Sequence, residues 1–377
     1  MTGPATAGSA DIAVVGGGLV GAAVAWGLGR AGARVVVLDE GDDAIRASRG
    51  NFGLVWVQGK GDGMHEYAAW TRNSATLWPE LAAAIAGEEG VDVGLRQPGG
   101  IEPFLSEAEH EAAELEIRRM HNQPGVGAND ARIIDAHEAH ELEPALGPEV
   151  IGGTFCPHDG HVNPLFLLRG LHAGLTRHRV DYRLNHRVER IERSGSGYAI
   201  ETTAGTVTAG KVVLAAGLGN ARLGPMVGLD VPTAPDRGHI LVTERLGPLL
   251  SHPLTRLRQT EEGTVMIGAS SDRPGMDTGL DFATVARLAA RARRVLPAIG
   301  KARIVRTWAA LRIMSPDGFP IYAESASCPG AYVVTCHSGV TLAAAHALDL
   351  APVLLGDGFN DRFAAFSPDR FRKEAAA

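Results

Sequence analysis

The chain has 377 residues, 45% of them hydrophobic and 21% charged, with a formal net charge of −7. At roughly 100–200 residues per domain this length accommodates two domains, and an acidic balance without a basic run argues against nucleic acid or an anionic membrane as partner. No apolar stretch is long enough to span a bilayer, the leader MTGPATAGSA lacks the basic start of a secretory signal, and three cysteines, Cys156, Cys328 and Cys336, fit reduced thiols in a cytoplasmic protein.

Ile12 to Val15 is a short apolar run with the composition of a buried parallel strand. Gly16, Gly18 and Gly21 follow at G-x-G-x-x-G spacing. The first permits a tight turn, the second lets a pyrophosphate approach the backbone, and the third lets the next helix lie close to the strand. Leu19, Val20, Ala23, Val24 and Leu28 recur at helical spacing, Gly32 ends the helix, and residues 35–38 form a second buried strand. Asp39, at its end, can accept hydrogen bonds from both ribose hydroxyls of an adenine dinucleotide, which favours FAD or NAD over NADP. The loop from Arg46 to Leu54 is either an ordinary connection or a track along the rest of a longer cofactor, with Ser48 near its diphosphate or ring.

Helical periodicity runs through Tyr67, Leu77, Trp78, Leu81 and Ile85, with Trp70 and Trp78 read as packing residues. Short strands around Val91 and Val93 precede a helix over 106–120, with Ser106 as N-cap and Glu109 completing a capping box. A strand and then a helix occupy 131–144. His158 and His161 have no third ligand at metal-binding spacing, so no metal is expected. Asn163 caps a helix that Pro164 opens and that runs to about His178. Strands follow at 186–192, 198–202 and 206–207, then a third apolar strand, 211–217, that ends in a glycine turn. So long an insertion before this strand excludes a compact NAD module. Residues 226–268 alternate like antiparallel β, with strands at 237–242 and 264–268, and 281–296 form a helix with Phe282, Val285, Leu288, Ala289 and Val295 inward. Arg312 sits in an apolar strand before a turn, where a charge needs an internal carboxylate or an anionic ligand. Residues 332–336 form a last strand, and His337 to Thr341 open a helix to about Leu355 whose N-terminus favours an anion.

The fingerprint, together with residues 48–53, 159–164, 212–217, 237–243, 311–320 and 337–341, resembles the D-amino acid oxidase superfamily of FAD-dependent amine oxidoreductases. That group includes glycine oxidases, sarcosine oxidases, D-amino acid dehydrogenases and the β subunits of opine and related dehydrogenases. The resemblance covers about Asp11 to Leu355. It implies an α/β fold, a Rossmann-type FAD-binding domain (1–85, 150–222 and 315–377) interleaved with an α+β substrate domain of antiparallel sheet (86–149 and 223–314). Noncovalent FAD is implied, since Ala309 and Ala310 stand near where sarcosine oxidases carry the flavin-bound cysteine. By resemblance Gly16, Gly18, Leu19, Val20, Gly21, Asp39 and Glu40 hold the ADP half, and Ser48, Arg49, Gly50 and Asn51 run along the diphosphate and ring. Val188 meets adenine through its backbone, and Ala216 and Gly217 pack near the diphosphate. Ser338, Gly339, Val340 and Thr341 face the flavin pyrimidine oxygen. Arg312, bordering the cofactor, pairs with the substrate carboxylate, while His239 and Met314 line the pocket.

Three departures bear on the substrate. The family often has Arg-Pro where this chain has Arg312-Ile313, the arginine that follows the matching histidine in glycine oxidases is absent after His337, and the usual substrate tyrosine is not identifiable. These favour a bulkier or N-substituted amino acid over free glycine. The expected reaction moves the α-hydrogen as hydride to the flavin. The imine left behind hydrolyses to a 2-oxo acid, glyoxylate for an N-carboxymethyl amine, plus amine or ammonia, without a protein base if the amine arrives neutral. Molecular oxygen is one acceptor. A dehydrogenase subunit passing electrons to a quinone or partner protein is the alternative, and a non-catalytic flavin-binding interaction subunit is a third reading, against which Arg312 argues. Homo-oligomerisation is left open.

Overall fold

The computed structural model describes residues 10–41, 46–123, 130–268 and 270–374; most of the leader lies outside them. From the N-terminus the elements are β1 (Ala10–Val15), α1 (Leu19–Arg30), β2 (Val35–Leu38), β3 (Leu54–Val55), α2 (His65–Glu89), β4 (Gly100–Phe104), α3 (Glu107–His121), β5 (Arg132–Asp135), α4 (Ala136–Leu142), β6 (Gly152–Cys156), β7 (Gly160–His161) and α5 (Pro164–Arg177). There follow β8 (Asp181–Arg183), β9 (Val188–Ser194), β10 (Gly197–Thr202), β11 (Gly205–Leu214), α6 (Asn220–Leu223), β12 (Ala234–Arg245), β13 (Leu257–Gln259), β14 (Thr264–Ile267), α7 (Phe282–Val295), β15 (Ile304–Met314), β16 (Ile321–Glu324) and β17 (Ala331–Thr335).

The larger sheet has the order β16-β17-β11-β1-β2-β8, with the β9–β10 hairpin joined to β11. The pairs β1–β2, β1–β11, β2–β8 and β11–β17 are parallel. Both faces are covered, which is why β1 reads as an unbroken apolar run: Ile12 and Val14 join the core containing α1, whereas Ala13 and Val15 join the core under β9 to β11. A second, antiparallel sheet has the order β13-β14-β12-β15, and a bridge from Ile101 to Leu254 connects it to the strands β4-β6-β5. Its core gathers Ile101, Leu241, Val265 and, from α7, Leu288 and Val295. The architecture is the expected α/β one with an antiparallel part. No helix among the described residues is long and apolar enough to cross a membrane, and all three cysteines are unpaired.

Several expectations change. The strands expected at 206–207 and 211–217 are one, β11, whose first half pairs with β10 and whose second half enters the parallel sheet. Val91 and Val93 lie outside any strand. Ser106 caps α3 by accepting from the Glu109 amide, but the Glu109 carboxylate accepts from Leu105 N rather than Ser106 N, one residue beyond a capping box. Phe282 is 76% exposed, because it follows the Asp281 N-cap on the solvent side of α7. The helix expected to open at His337 begins only at Ala343; residues 339–342 form a turn before it, and His346–Leu350 is a π-helical stretch. The division expected at residue 150 does not follow the pairing, since β6 lies between β4 and β5.

Candidate functional site

The turn between β1 and α1 is built around its glycines. A Cβ at Gly16, where φ is +105°, would come 2.5 Å from the Ala215 carbonyl oxygen; one at Gly18 would come 2.8 Å from Ser48 Oγ, and one at Gly21 would stand on the Gly16 carbonyl oxygen. Ser48 lies at the first turn of α1, where its hydroxyl accepts from Leu19 N at 2.9 Å. Asp39 accepts from Gly17 N at 2.6 Å and Gly41 N at 2.8 Å, and Glu40 pairs with Arg46. Val20 lies 3.4 Å from where a Cβ of Gly339 would be, so the start of α1 touches the 338–341 turn. Gly50 accepts through its carbonyl from Trp308 Nε1 of β15, and Asn51 accepts from Gly53 N, while Arg49 lies on the same half-exposed loop. Ala216 N donates to Asn220 Oδ1, and Gly217, at φ +58°, faces Ile313. Val188 is farther along the sheet, buried, with its carbonyl accepting from Arg222.

A second constellation was not legible in the chain. Asp159, fully buried, accepts from Val57 N at 2.5 Å and Gln58 Nε2 at 2.6 Å, with a longer contact from Gln58 N. Burial pushes its carboxyl up to about 7 despite these donors. The loop so held carries Lys60, whose Nζ donates to Ser338 Oγ at 2.9 Å; the Tyr67 hydroxyl donates to the same atom at 2.9 Å. Burial lowers the Lys60 ammonium to about 8, with Arg312 adding repulsion and Cys336 and Asp159 opposing it. His337 is held neutral, well below its ordinary value, first by burial and then by Lys60 and Arg312. The amides of Gly339, Val340 and Thr341 are buried and find no acceptor among the described residues. Orphaned amides of this kind fit an anionic or carbonyl oxygen.

Replacing Asp159 by alanine leaves the Val57 and Gln58 amides without this acceptor and takes one of the two acceptors of Gln58 Nε2. We expect a loss of about 3 kcal/mol in stability, read from urea unfolding. In the wild type the folded protein holds a proton on Asp159 that the unfolded chain has released. This residue's contribution therefore falls as pH rises from about 4 through about 7, and Asp159→Ala removes that slope.

Arg312 meets an internal carboxylate. The antiparallel register of β12 and β15 sets it opposite Asp236, and Nη1 donates to Asp236 Oδ1 at 2.5 Å. Asp236 also accepts from Ser271 Oγ. The guanidinium lies over Gly238, where any Cβ would collide with it, and its Nε and Nη2 have no partner among the described residues. One edge of a fixed fork is thus left free, 24% exposed as a side chain. His239 does not line a pocket: it is fully buried, Nδ1 meets Ser270 Oγ at 2.8 Å, and Nε2 accepts from Asp281 N at 3.0 Å. Both ring nitrogens are spent on holding the 270–281 segment, which Arg237 also grips through Asp272, Asp277 and the Gly279 carbonyl. Met314 is half-buried beside the Gly318 turn.

A glycine cradle at a helix N-terminus, an acid at the end of the next strand and a free guanidinium edge therefore belong to one molecule. The family model for DAO, FAD dependent oxidoreductases, matches residues 11–352. The chain belongs to the DAO family. A protein of Rhizobium meliloti named as one of the subunits of opine oxidase is 42% identical over 366 residues, covering 97% of this chain and 99% of that protein. Glycine oxidase of Geobacillus kaustophilus is 30% identical over 334 residues, 87% of each. The crystal structure of the Geobacillus kaustophilus glycine oxidase superposes with a TM-score of 0.85 at 26% identity, over 95% of this chain and 98% of that one. This DAO-family chain is an FAD-dependent amine or amino acid oxidoreductase.

For a DAO-family protein the missed residues are Lys60, Tyr67, Asp159 and Asp236. One signal was available for the first. Of 36 basic residues only four are lysines, and Lys60 stands alone between Gly59 and Gly61. A chain that uses arginine for nearly every cation has placed an ammonium in a glycine-flanked loop.

Proposed function

We propose that this protein oxidises an amine bearing an α-carboxylate, a bulkier or N-substituted amino acid, to an imine that water converts to a 2-oxo acid and an amine. The observation that carries the reading is the Arg312 fork: Asp236 fixes it through Nη1 while Nε and Nη2 have no partner among the described residues, as bidentate capture of a carboxylate requires. The relatives named as opine and glycine oxidases support it.

FAD fits the residues present. Gly16, Gly18, Gly21 and the first amides of α1 would hold its diphosphate, Asp39 and Glu40 its ribose, the Val188 backbone its adenine, Ser48 to Asn51 with Ala216 and Gly217 its middle, and the 338–341 turn its ring. Bound noncovalently, FAD supplies a two-electron acceptor. Arg312 orients the carboxylate and so the α-carbon, Met314 borders the same space, and neutral His337 leaves the amine's proton to solvent. On strand pairing, the nucleotide part comprises 10–89, 157–222 and 315–374, and the substrate part 90–156 and 223–314.

Anaerobic mixing with N-alkylglycines and with D- and L-amino acids tests the proposal. Flavin absorbance should bleach with carboxylate-bearing amines and persist with matching amines that lack the carboxylate; persistence with every compound would sink it. The relative at 42% identity is named as a subunit, which favours a partner protein or quinone over oxygen as acceptor. Peroxide formation compared with dye reduction separates the two. Three unpaired thiols fit a reducing compartment such as the cytoplasm.

A further inference from the structure

We infer that Lys60 is a second carboxylate anchor, so that the preferred substrate is a secondary amine flanked by two carboxylates, one on the Nε/Nη2 edge of Arg312 and the other on the Lys60 ammonium. The inference rests on the reading of Arg312 above.

Lys60 is held in place by residues far from it in sequence. Asp159 pins Val57 and Gln58, and Gln58 donates further to the Gly100 carbonyl. Trp56 N donates to Thr341 Oγ1, tying the same loop to the 338–341 turn. At the loop's end the ammonium gives one hydrogen to Ser338 Oγ, and its other two find no partner among the described residues. No carboxylate comes within ion-pair distance of it among the described residues, Asp159 being committed to the loop amides. A desolvated ammonium without a counter-ion is costly to keep, and an anionic ligand offsets that cost.

The two cations belong to one space. Tyr67, which shares Ser338 Oγ with Lys60, packs its ring 5.5 Å from that of Phe319, just past the turn that ends the Arg312 strand. Lys60 and Arg312 act on each other and on His337, which is uncharged and whose Nδ1 meets Ser338 Oγ at 3.4 Å. Arg312 already has Asp236 as counter-ion and offers a hydrogen-bonding edge, whereas Lys60 has no carboxylate partner among the described residues. A monocarboxylate held on the Arg312 edge leaves that ammonium without a counter-ion. The nitrogen of an iminodiacetate-like compound lies midway between its carboxylates, so holding both ends also fixes the α-carbon.

The test uses the FAD-loaded protein and two thioethers, thiodiacetate with two carboxylates and (methylthio)acetate with one, neither of which has an oxidisable amine. Their binding is read from perturbation of the flavin absorbance. Wild type should bind thiodiacetate about 30-fold more tightly, the factor expected of one charge-assisted hydrogen bond. Lys60→Met should shrink the ratio to below about 3, and Lys60→Arg should recover part of it. Equal binding of the two by wild type would overturn the inference without needing any variant, as would a ratio that survives Lys60→Met. If (methylthio)acetate still binds in an Arg312-dependent way, only the Lys60 assignment falls. If neither thioether binds and no amine bleaches the flavin, the reading of Arg312 falls with it.

Discussion

Arg312→Ala should lower kcat/KM for a carboxylate-bearing amine about 10³-fold while FAD content stays that of the wild type. Removing one partner of a desolvated, charge-assisted pair typically costs several kcal/mol in binding, and here the pair reaches the transition state as well as the ground state. The substitution also strands Asp236, which is 5% exposed and keeps, among the described residues, only Ser271 Oγ as side-chain donor, so the alanine variant should lose about 3 kcal/mol in stability. Arg312→Lys separates the two effects. It restores a cation opposite Asp236 and hence most of the stability, but a point charge cannot serve Asp236 and a substrate carboxylate with the geometry of the fork. We expect it to remain about 10²-fold impaired. Steady-state kinetics with urea unfolding of both variants checks this, and wild-type kinetics in either would remove the guanidinium from the site.

Gly21→Val should give a colourless protein. The added Cβ would stand on the Gly16 carbonyl oxygen and 3.3 Å from Ala215 Cβ, and both are held by the sheet: Gly16 N donates to Leu38 O, and Ala215 N to Val15 O. The helix must therefore move away from β1, and its first amides move with it. Overpacking of this kind costs about 1–3 kcal/mol, more when the obstacle is backbone. The larger loss is in the diphosphate site, where a shift near 1 Å breaks several hydrogen bonds together. The ratio of flavin to protein absorbance after purification, and after reconstitution with excess FAD, reads the result; a yellow variant would contradict it. Gly87→Ala is the control. No atom lies within 4 Å of a Cβ there, and within α2 the change should be neutral or stabilise by about 0.5–1 kcal/mol.

How much of this was legible in the chain depends on the distance over which each feature is specified. The β-α-β unit came out as expected because its signals are local. Four apolar residues in a row, glycines at set offsets and an acid after the second strand all bear on neighbours within one turn or one strand. The Asn163–Pro164 start of α5 is of the same kind, and Asn163 Oδ1 does accept from Leu165 N and Phe166 N. The errors fell at edges. Phe282 looked inward because helical periodicity does not say which side of a first turn meets solvent, and the helix expected from His337 starts late because residues 339–342 form a turn instead.

Residue order alone carries the nucleotide fold, the isolated arginine in its strand and the family to which the chain belongs. Tertiary packing decided the rest of the site. Lys60 meets Ser338 across 278 positions, Asp159 reaches back about a hundred to hold the loop that carries Lys60, and Asp236 faces Arg312 through the register of two strands 76 positions apart. Local patterns report the free energy of a turn or a strand face, and no local pattern records which distant group will be buried against which. His239 shows the converse. It looked like a pocket residue by position, yet both of its nitrogens are spent on a loop that folds back over it. A side chain is available for chemistry only if the packed structure leaves its polar atoms unclaimed, and among the described residues Nε and Nη2 of Arg312 and two hydrogens of Lys60 are left in that state.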